Sequence, residues 1–383
     1  MKLSVLVPVY NSEKFLKDSL KSIQCFSNKD IEIICINDGS IDSSLSIINE
    51  FCVKDDRFVL LNKKNTGYGD SLNQALKIAT GEYIAFLESD DTVVASVLER
   101  ILRIAEDEKL DVIKGNYNLF YEDRSDYYQN NKGVEYNKVF APKQKTAVFL
   151  SAPSIWSGVY RHDFLIENAI SFLDTPGASY QDTSFMFKVW AMAKRAMLID
   201  EAVINYRQDN PESSSNSRNK KIFDIFNEVA EMKSFLKRNN LNELLSICMR
   251  TKWQSFAWTL NRLYNQNDKI IFLLKVHEDV LIDFYEGNLL RQYWDDSNWN
   301  IVFNIIAFFY KIIIDIDNSF ETQNIVESII KNGLGEKIQC INLSFEYTKL
   351  NADVLYIINS KEPLYETIVG KFVSDKKMNY LVI

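Results

Sequence analysis

Four short polar clusters carry the residue types that could do chemistry. Glu88-Ser89-Asp90-Asp91 follows an apolar run at 83–87. In extended backbone, residues i and i+2 point the same way, so Glu88 and Asp90 can face one small volume. Their hard oxygens suit Mg²⁺ or Mn²⁺, ions that take one or two protein carboxylates and complete their shell with phosphate and water. The same residues would serve equally as a solvated acidic turn. Asp38, followed by Gly39 and Ser40, ends the apolar run 31–36. Its carboxylate can accept from a base N–H or a ribose hydroxyl, or close an Asx turn. Asn65-Thr66-Gly67-Tyr68-Gly69 lets backbone approach a ligand and precedes a helical pattern whose first N–H groups suit an anion. It matches neither a phosphate loop ending in Gly-Lys-Ser/Thr nor GxGxxG. Asp182, after Tyr180 and Gln181, stands where a helical pattern with Phe187 and Trp190 begins. A carboxylate there caps the helix. Ionised at neutral pH, it could also take the proton of an attacking hydroxyl.

These clusters need elements to position them. The runs 3–9, 31–36, 58–61 and 83–87 are short and apolar, as in buried parallel strands. Between them lie helical spacings: Phe15, Leu16, Leu20 and Ile23 behind a Ser12 cap; Leu45, Ile48 and Phe51; and Leu72, Ala75, Leu76 and Ala79, closed by Gly81. A helix over 94–106 and a short strand at 112–114 follow. Strand–helix alternation predicts an α/β fold with a parallel sheet and helices on both faces. In such sheets ligands bind beyond the carboxyl ends of the strands. Tyr10-Asn11, Asn37-Asp38, Asn65 and 88–91 all fall at that edge. Residues 122–147 read as a loop, 202–206 as a strand, and 208–218 as a linker. Residues 222–332 carry a helical pattern, and the remainder reads as a small α/β piece with strands at 338–343, 354–358 and 380–383 and a helix at 363–372. The expected domains are 1–215, 216–333 and 334–383.

The chain has 383 residues, 46% of them hydrophobic and 25% charged, which predicts a folded protein with a sizeable core. A net charge of −8 argues against nucleic acid as a partner. Five scattered cysteines without CxxC spacing read as thiols in a reducing compartment, and two histidines exclude a multi-histidine metal site. The first apolar run is too short for a signal peptide. The stretch 301–314, interrupted by Asn304 and Lys311, falls short of the ~20 residues that span a bilayer. A cytoplasmic protein is expected, in solution or peripheral to the inner face of the cell membrane. The chain stops on an apolar run, as a truncated sequence would.

Leu-Val-Pro8-Val-Tyr10-Asn11, Ile-Asn-Asp38-Gly-Ser, Asn65-Thr-Gly67-Tyr-Gly, Ala79-Thr-Gly-Glu-Tyr and Glu88-Ser89-Asp90-Asp91, in this order, resemble the family 2 glycosyltransferases, inverting enzymes of the GT-A fold. Trp156-Ser-Gly-Val-Tyr-Arg, Gln181-Asp182-Thr-Ser-Phe and Tyr206-Arg207-Gln-Asp look like the acceptor side of bacterial members that build capsule or lipopolysaccharide chains. The resemblance covers residues 1–215. It implies a GT-A (Rossmann-like) domain, followed by a mainly helical region and the small α/β piece. The implied donor is a nucleotide-diphosphate sugar, a UDP-sugar in particular, and the implied acceptor a hydroxyl of a glycan or lipid-linked sugar. Pro8, Tyr10, Asn11, Asp38, Asn65, Gly67, Glu88 and Ser89 would bind the donor, Asp90 would hold Mn²⁺ or Mg²⁺, and Asp182 would be the base. Trp156, Tyr180, Gln181, His162 and Arg207 would face the acceptor. The family's usual first Asp of the acidic motif is Glu88 here, and its usual Glu before the base is Gln181. Those departures motivate the alternative of a non-catalytic, sugar-nucleotide-binding scaffold. A sugar-phosphate nucleotidyltransferase would need a glycine-rich basic loop after the first strand, where Pro-Val-Tyr-Asn-Ser-Glu stands. For the helical region an ordinary core is expected; a homodimer contact and a membrane surface stay open.

Overall fold

The computed structural model describes residues 2–27, 29–211, 213, 220–263, 266–299 and 301–302, and four strand segments after them. The chain divides into two compact units, Met1–Cys248 and Met249–Ile383.

The first unit is built on a nine-stranded sheet. Strands β1 (Leu3–Val9), β2 (Ile31–Asp38), β3 (Phe58–Lys63) and β4 (Tyr83–Phe86) are mutually parallel in the order β3-β2-β1-β4. β1, β2 and β4 are buried along their whole length, which is why apolar residues dominate them; Glu32, the charge inside the β2 run, accepts from the hydroxyls of Ser4 and Thr80. Helices α1 (Leu16–Gln24), α2 (Ser44–Lys54) and α3 (Tyr68–Ile78) connect them. Their inward faces carry Leu16, Leu20 and Ile23, then Ile48 and Phe51, then Leu72, Ala75 and Leu76. Each large apolar side chain so buried contributes about 1.5–3 kcal/mol.

Beyond β4 the sheet is mixed, not parallel throughout. After β5 (Thr92–Val93) and α4 (Ala95–Glu108) come β6 (Val112–Phe120), β7 (Ser125–Tyr128), β8 (Gly158–Arg161), α5 (His162–Glu167), α6 (Gln181–Met192) and β9 (Ala196–Arg207). β8 lies between β4 and β6, antiparallel to both, and β6 pairs β9 in parallel. The short strand expected at 112–114 continues to Phe120 because Asn116 and Asn118, polar enough to end an apolar run, are paired on the sheet: Asn118 donates to Asn205 at 2.9 Å and Asn116 to Asp200 at 3.0 Å. Part of the expected 122–147 loop is β7, a strand of exposed polar residues hairpinned to β6.

Two expected caps have other roles. Ser12 turns its hydroxyl to Ser89, 2.7 Å away, while its carbonyl accepts the N–H groups of Phe15 and Leu16. Gly81 lies past the end of α3, and a Cβ there would stand 2.4 Å from the Ser4 nitrogen of β1. Close packing of α3's exit on β1 requires the glycine.

α7 (Ile225–Arg238) completes the first unit's helices, and α8 (Leu245–Arg262) crosses the division between units. In the second unit, α9 (Gln266–Tyr285) pairs its Asp279 and Asp283 with Lys252, and Trp253 and Trp294 are buried while Trp258 is half exposed. The helical pattern expected through 332 is interrupted by β10 (Lys311–Asp315), whose Ile-Ile-Ile run is β-branched. With β11 (Ile338–Ile341), β12 (Val354–Ile358) and β13 (Asn379–Val382) it forms a four-stranded parallel sheet in the order β11-β10-β12-β13. The helix expected at 363–372 and most of the expected linker lie outside the described residues. Among the described residues no helix is long and apolar enough to cross a membrane.

Candidate active site

The tips of β1, β2 and β3 are tied to one another. Asp38, the last residue of β2, accepts the N–H of Thr66 at 2.9 Å and of Gly67 at 3.0 Å, and pairs with Lys63 at the end of β3. Asp38 thereby pins the turn that carries Asn65 and Gly67. Gly67 has φ of +103°, and a Cβ on it would meet the Thr175 carbonyl at 2.9 Å. Asn11 is left-handed at φ 50°; its Oδ1 accepts the Ile41 N–H at 2.9 Å and its own N–H donates to Ser40 Oγ at 3.1 Å. Tyr10 stands beside it, 52% exposed, whereas Pro8 is buried within β1 next to Ile36.

The acidic turn after β4 is the most charged part of this edge. Tyr68 donates to Glu88 Oε1 at 2.5 Å, and Ser89 is joined to Ser12. Asp90 accepts from Asn210 at 2.7 Å. Arg207 braces the turn from β9: its Nε donates to the Asp90 carbonyl at 2.9 Å and its backbone N–H to Asp91 Oδ1 at 2.8 Å. Its guanidinium lies over the rings of Phe15 and Phe120. Burial pushes the Glu88 carboxyl up to about 8, with the Asp90 and Asp182 charges adding to the rise and the Tyr68 bond opposing it. Burial and the Asp90 charge likewise raise Asp91.

Asp182 sits in the first turn of α6. Burial raises it to about 6, against Lys114 of β6, the N–H groups of residues 182 and 183, and the Thr183 hydroxyl. Phe86 at the end of β4 packs edge-on against Phe185 in the first turns of α6, ring centroids 5.6 Å apart, which brings the start of α6 beside the β4 tip. Tyr180, left-handed at φ 65°, precedes the helix. Gln181 is buried; its Oε1 accepts the Ser179 N–H at 2.6 Å and its Nε2 donates to Thr175 Oγ1 at 2.7 Å. An amide supplies that donor where a carboxylate cannot. Trp156 stacks on Tyr206 (centroids 5.0 Å apart, 28° between planes), with Tyr117 edge-on to it at 4.8 Å.

Residues 4–161 match the family model described as Glycosyl transferase family 2. That domain belongs to the family. EpsH of Bacillus subtilis (strain 168), which bears a glycosyltransferase name, is 29% identical over 271 residues, covering 66% of this chain and 78% of EpsH. The uncharacterized glycosyltransferase EpsJ of the same organism is 30% identical over 217 residues, covering 55% of this chain and 62% of EpsJ. Among solved structures, residues 1–349 of S. aureus TarS, crystallised with UDP-GlcNAc, are 20% identical over 79% of this chain and 90% of that chain, with a TM-score of 0.51. At that identity the likeness is one of fold, and the fold is GT-A.

In the glycosyltransferase domain the expected residues largely gather at one edge, with one clear exception. His162 begins α5 directly after Arg161, which pairs with Tyr83 at the amino end of β4. Its ring nitrogens lie 3.1 and 3.0 Å from the carbonyls of Gly81 and Leu76. Because β8 runs antiparallel to β4, its last residue exits at the end of the sheet opposite the acidic turn, and His162 is not an acceptor residue. Arg207, expected to face the acceptor, instead holds the acidic turn. Sequence reasoning missed Lys63, Tyr68, Lys114 and Glu228. Tyr68 follows Gly67 in the sequence; Lys114 within an apolar strand and Glu228 on the face marked by Ile225, Val229 and Met232 gave a weaker signal that needs the remote partner, and the register of Lys63 with Asp38 appears only in the fold. Among the described residues no group of three or more His, Cys, Asp or Glu side chains is disposed to hold an ion. Mg²⁺ or Mn²⁺ needs only one or two protein carboxylates, so Asp90, with Glu88 beside it at the β4 tip, would suit such an ion.

Proposed function

We propose that this chain is an inverting glycosyltransferase that moves a sugar from a UDP-sugar to a hydroxyl of a glycan or lipid-linked acceptor during cell-surface polysaccharide synthesis. The observation that carries the reading is that two unlike groups stand on packed elements: a half-buried carboxylate, Asp182, in the first turn of α6, and the acidic turn after β4, whose Phe86 packs on Phe185 of α6. Asp38, Asn65, Gly67 and Tyr10 line the nucleotide end. Asp90, with Glu88 beside it, would hold Mn²⁺ or Mg²⁺, which when bound offsets the charge of the leaving diphosphate.

Asp182 accepts the proton of the acceptor hydroxyl as that oxygen attacks the anomeric carbon. Attack from the face opposite the diphosphate inverts that carbon, and no covalent intermediate with the protein forms. The proton must go to a carboxylate, so the base works only above its folded pKa of about 6. Trp156, backed by Tyr117 and Tyr206, offers an aromatic edge to the acceptor ring.

The test is transfer and hydrolysis of UDP-sugars by the full chain, with and without Mn²⁺, beside the Asp182→Asn protein. Turnover that Asp182→Asn abolishes supports the reading. Donor binding with no turnover on any acceptor would give the scaffold reading instead, and GDP- or dTDP-sugar preference would overturn the donor assignment.

A further inference from the structure

Lys114 lies within β6 and is 1% exposed. Its Nζ donates to the carbonyls of Pro153 and Ser154, each at 2.7 Å, and to Ser154 Oγ at 3.3 Å, and it stands 3.6 Å from the sulfur of Met186. None of these partners is a carboxylate. A buried ammonium held only by neutral acceptors is a poor way to fill space, since an apolar side chain of similar size is often neutral or stabilising. The group therefore calls for a role beyond packing.

Two placements supply one. The turn it grips contains Ser154 at φ 30° and ψ 56°, a left-handed conformation that a non-glycine residue adopts at a cost, and Trp156 follows two residues later. Asn130 holds the same turn, donating to the Ala152 carbonyl and to Ser154 Oγ at 3.0 Å each. On the other side, Met186 is four residues after Asp182 in α6, hence on the same helix face one turn along. The ammonium lies where the acceptor-side turn meets the helix that carries Asp182.

We propose that Lys114 is a positioning residue for the transfer step, fixing the turn that presents Trp156 and keeping a positive charge behind Asp182. The inference rests on Asp182 being the base. The groups whose charges act on or feel Asp182 are Lys114 from β6, Glu228 from α7, Glu88 after β4, Tyr68 from α3 and Tyr160 from β8. Of these described groups Lys114 alone is cationic at its ordinary pKa. Burial lowers Lys114 to about 7, and the Asp182 charge opposes that fall.

The experiment compares pH–rate profiles of the wild-type and Lys114→Met proteins with saturating donor. Loss of the cation raises the pKa of Asp182. The acid limb of kcat/KM should therefore move up by about one pH unit, with acceptor KM raised about tenfold. A Lys114→Met protein with the wild-type limb and acceptor KM overturns the proposal. Should that variant fail to fold, lysine ¹³Cε resonances are titrated in wild-type and Asp182→Asn chains. Coupling is reciprocal, so the buried lysine's midpoint should fall in Asp182→Asn, and an unmoved midpoint overturns the proposal. Full transfer by Asp182→Asn would defeat the base assignment itself; an inactive Asp182→Asn beside an unshifted Lys114→Met profile defeats only the present inference.

Discussion

At the edge proposed for the nucleotide, much of the fastening joins the ends of neighbouring strands: Asp38 to Lys63, Thr66 and Gly67, and Asn11 to Ile41 and Ser40. Across the site, the fastenings come from distant parts of the chain. Lys114 reaches Pro153 and Ser154, Arg207 reaches Asp90 and Asp91, and Glu228 of α7 accepts the Ser184 N–H of α6 at 3.1 Å. One half follows from strand register. The other depends on buried polar groups that each need a particular remote partner, and a buried group left unpartnered is costly. The half proposed for the nucleotide should therefore tolerate changes in its loops outside Asn11 and Gly67, while the half proposed for the acceptor should respond sharply to single substitutions.

The largest expected effect is on the acceptor half. Asp182→Asn should lower kcat by about 10²–10⁴-fold while leaving donor affinity and thermal unfolding near wild type; an active Asp182→Asn breaks the division of labour. Asp90→Ala should cost about 10²-fold in transfer, and EDTA should reproduce that loss in the wild-type protein. Metal-independent turnover would remove the role given to Asp90. Asp38→Ala leaves Lys63 with Asp70 and the Thr66 hydroxyl, and takes the acceptor from the Thr66 and Gly67 N–H groups, freeing the 65–67 turn. It should lower stability by about 2 kcal/mol, read by denaturant unfolding, and raise donor KM more than acceptor KM. The reverse split would contradict the assignment of that edge.

A smaller effect appears with pH and is shared by both halves. Glu88 and Glu228 are both held at about 8 by burial, above the usual glutamate value. Between about pH 5 and 8 the folded protein keeps protons that the unfolded chain has released, so stability falls as pH rises. Glu88→Gln and Glu228→Gln should each flatten that slope in thermal melts. Neither change should move the acid limb of activity, because near pH 6 both glutamates are already protonated and uncharged in the folded protein. The smallest effect is Gln181→Glu, which loses the donor to Thr175 and should cost about 1–2 kcal/mol.

The nucleotide half was legible because buried parallel strands advertise themselves. Leu3–Val9 matches its apolar run end to end, and the polar tip of each strand follows directly. The acceptor half was legible only in its motifs. Nothing local in Trp156-Ser-Gly-Val-Tyr-Arg shows that its strand runs antiparallel to β4, so His162 was carried to the wrong end of the sheet. Gln181 looked like a weakened catalytic motif until its amide was seen bridging Ser179 and Thr175. Lys114 and Glu228 were hidden because charge within an apolar pattern is informative only when the remote partner is known.

Gly81 stands at the far end of the sheet from all of this chemistry, pressed against Ser4. Any side chain there would wedge β1 away from the entry to β4, and those strands carry Tyr10–Asn11 at one tip and the acidic turn at the other. The spacing between those two tips is thus set, some five residues away along the strands, by a methyl group that the chain omits.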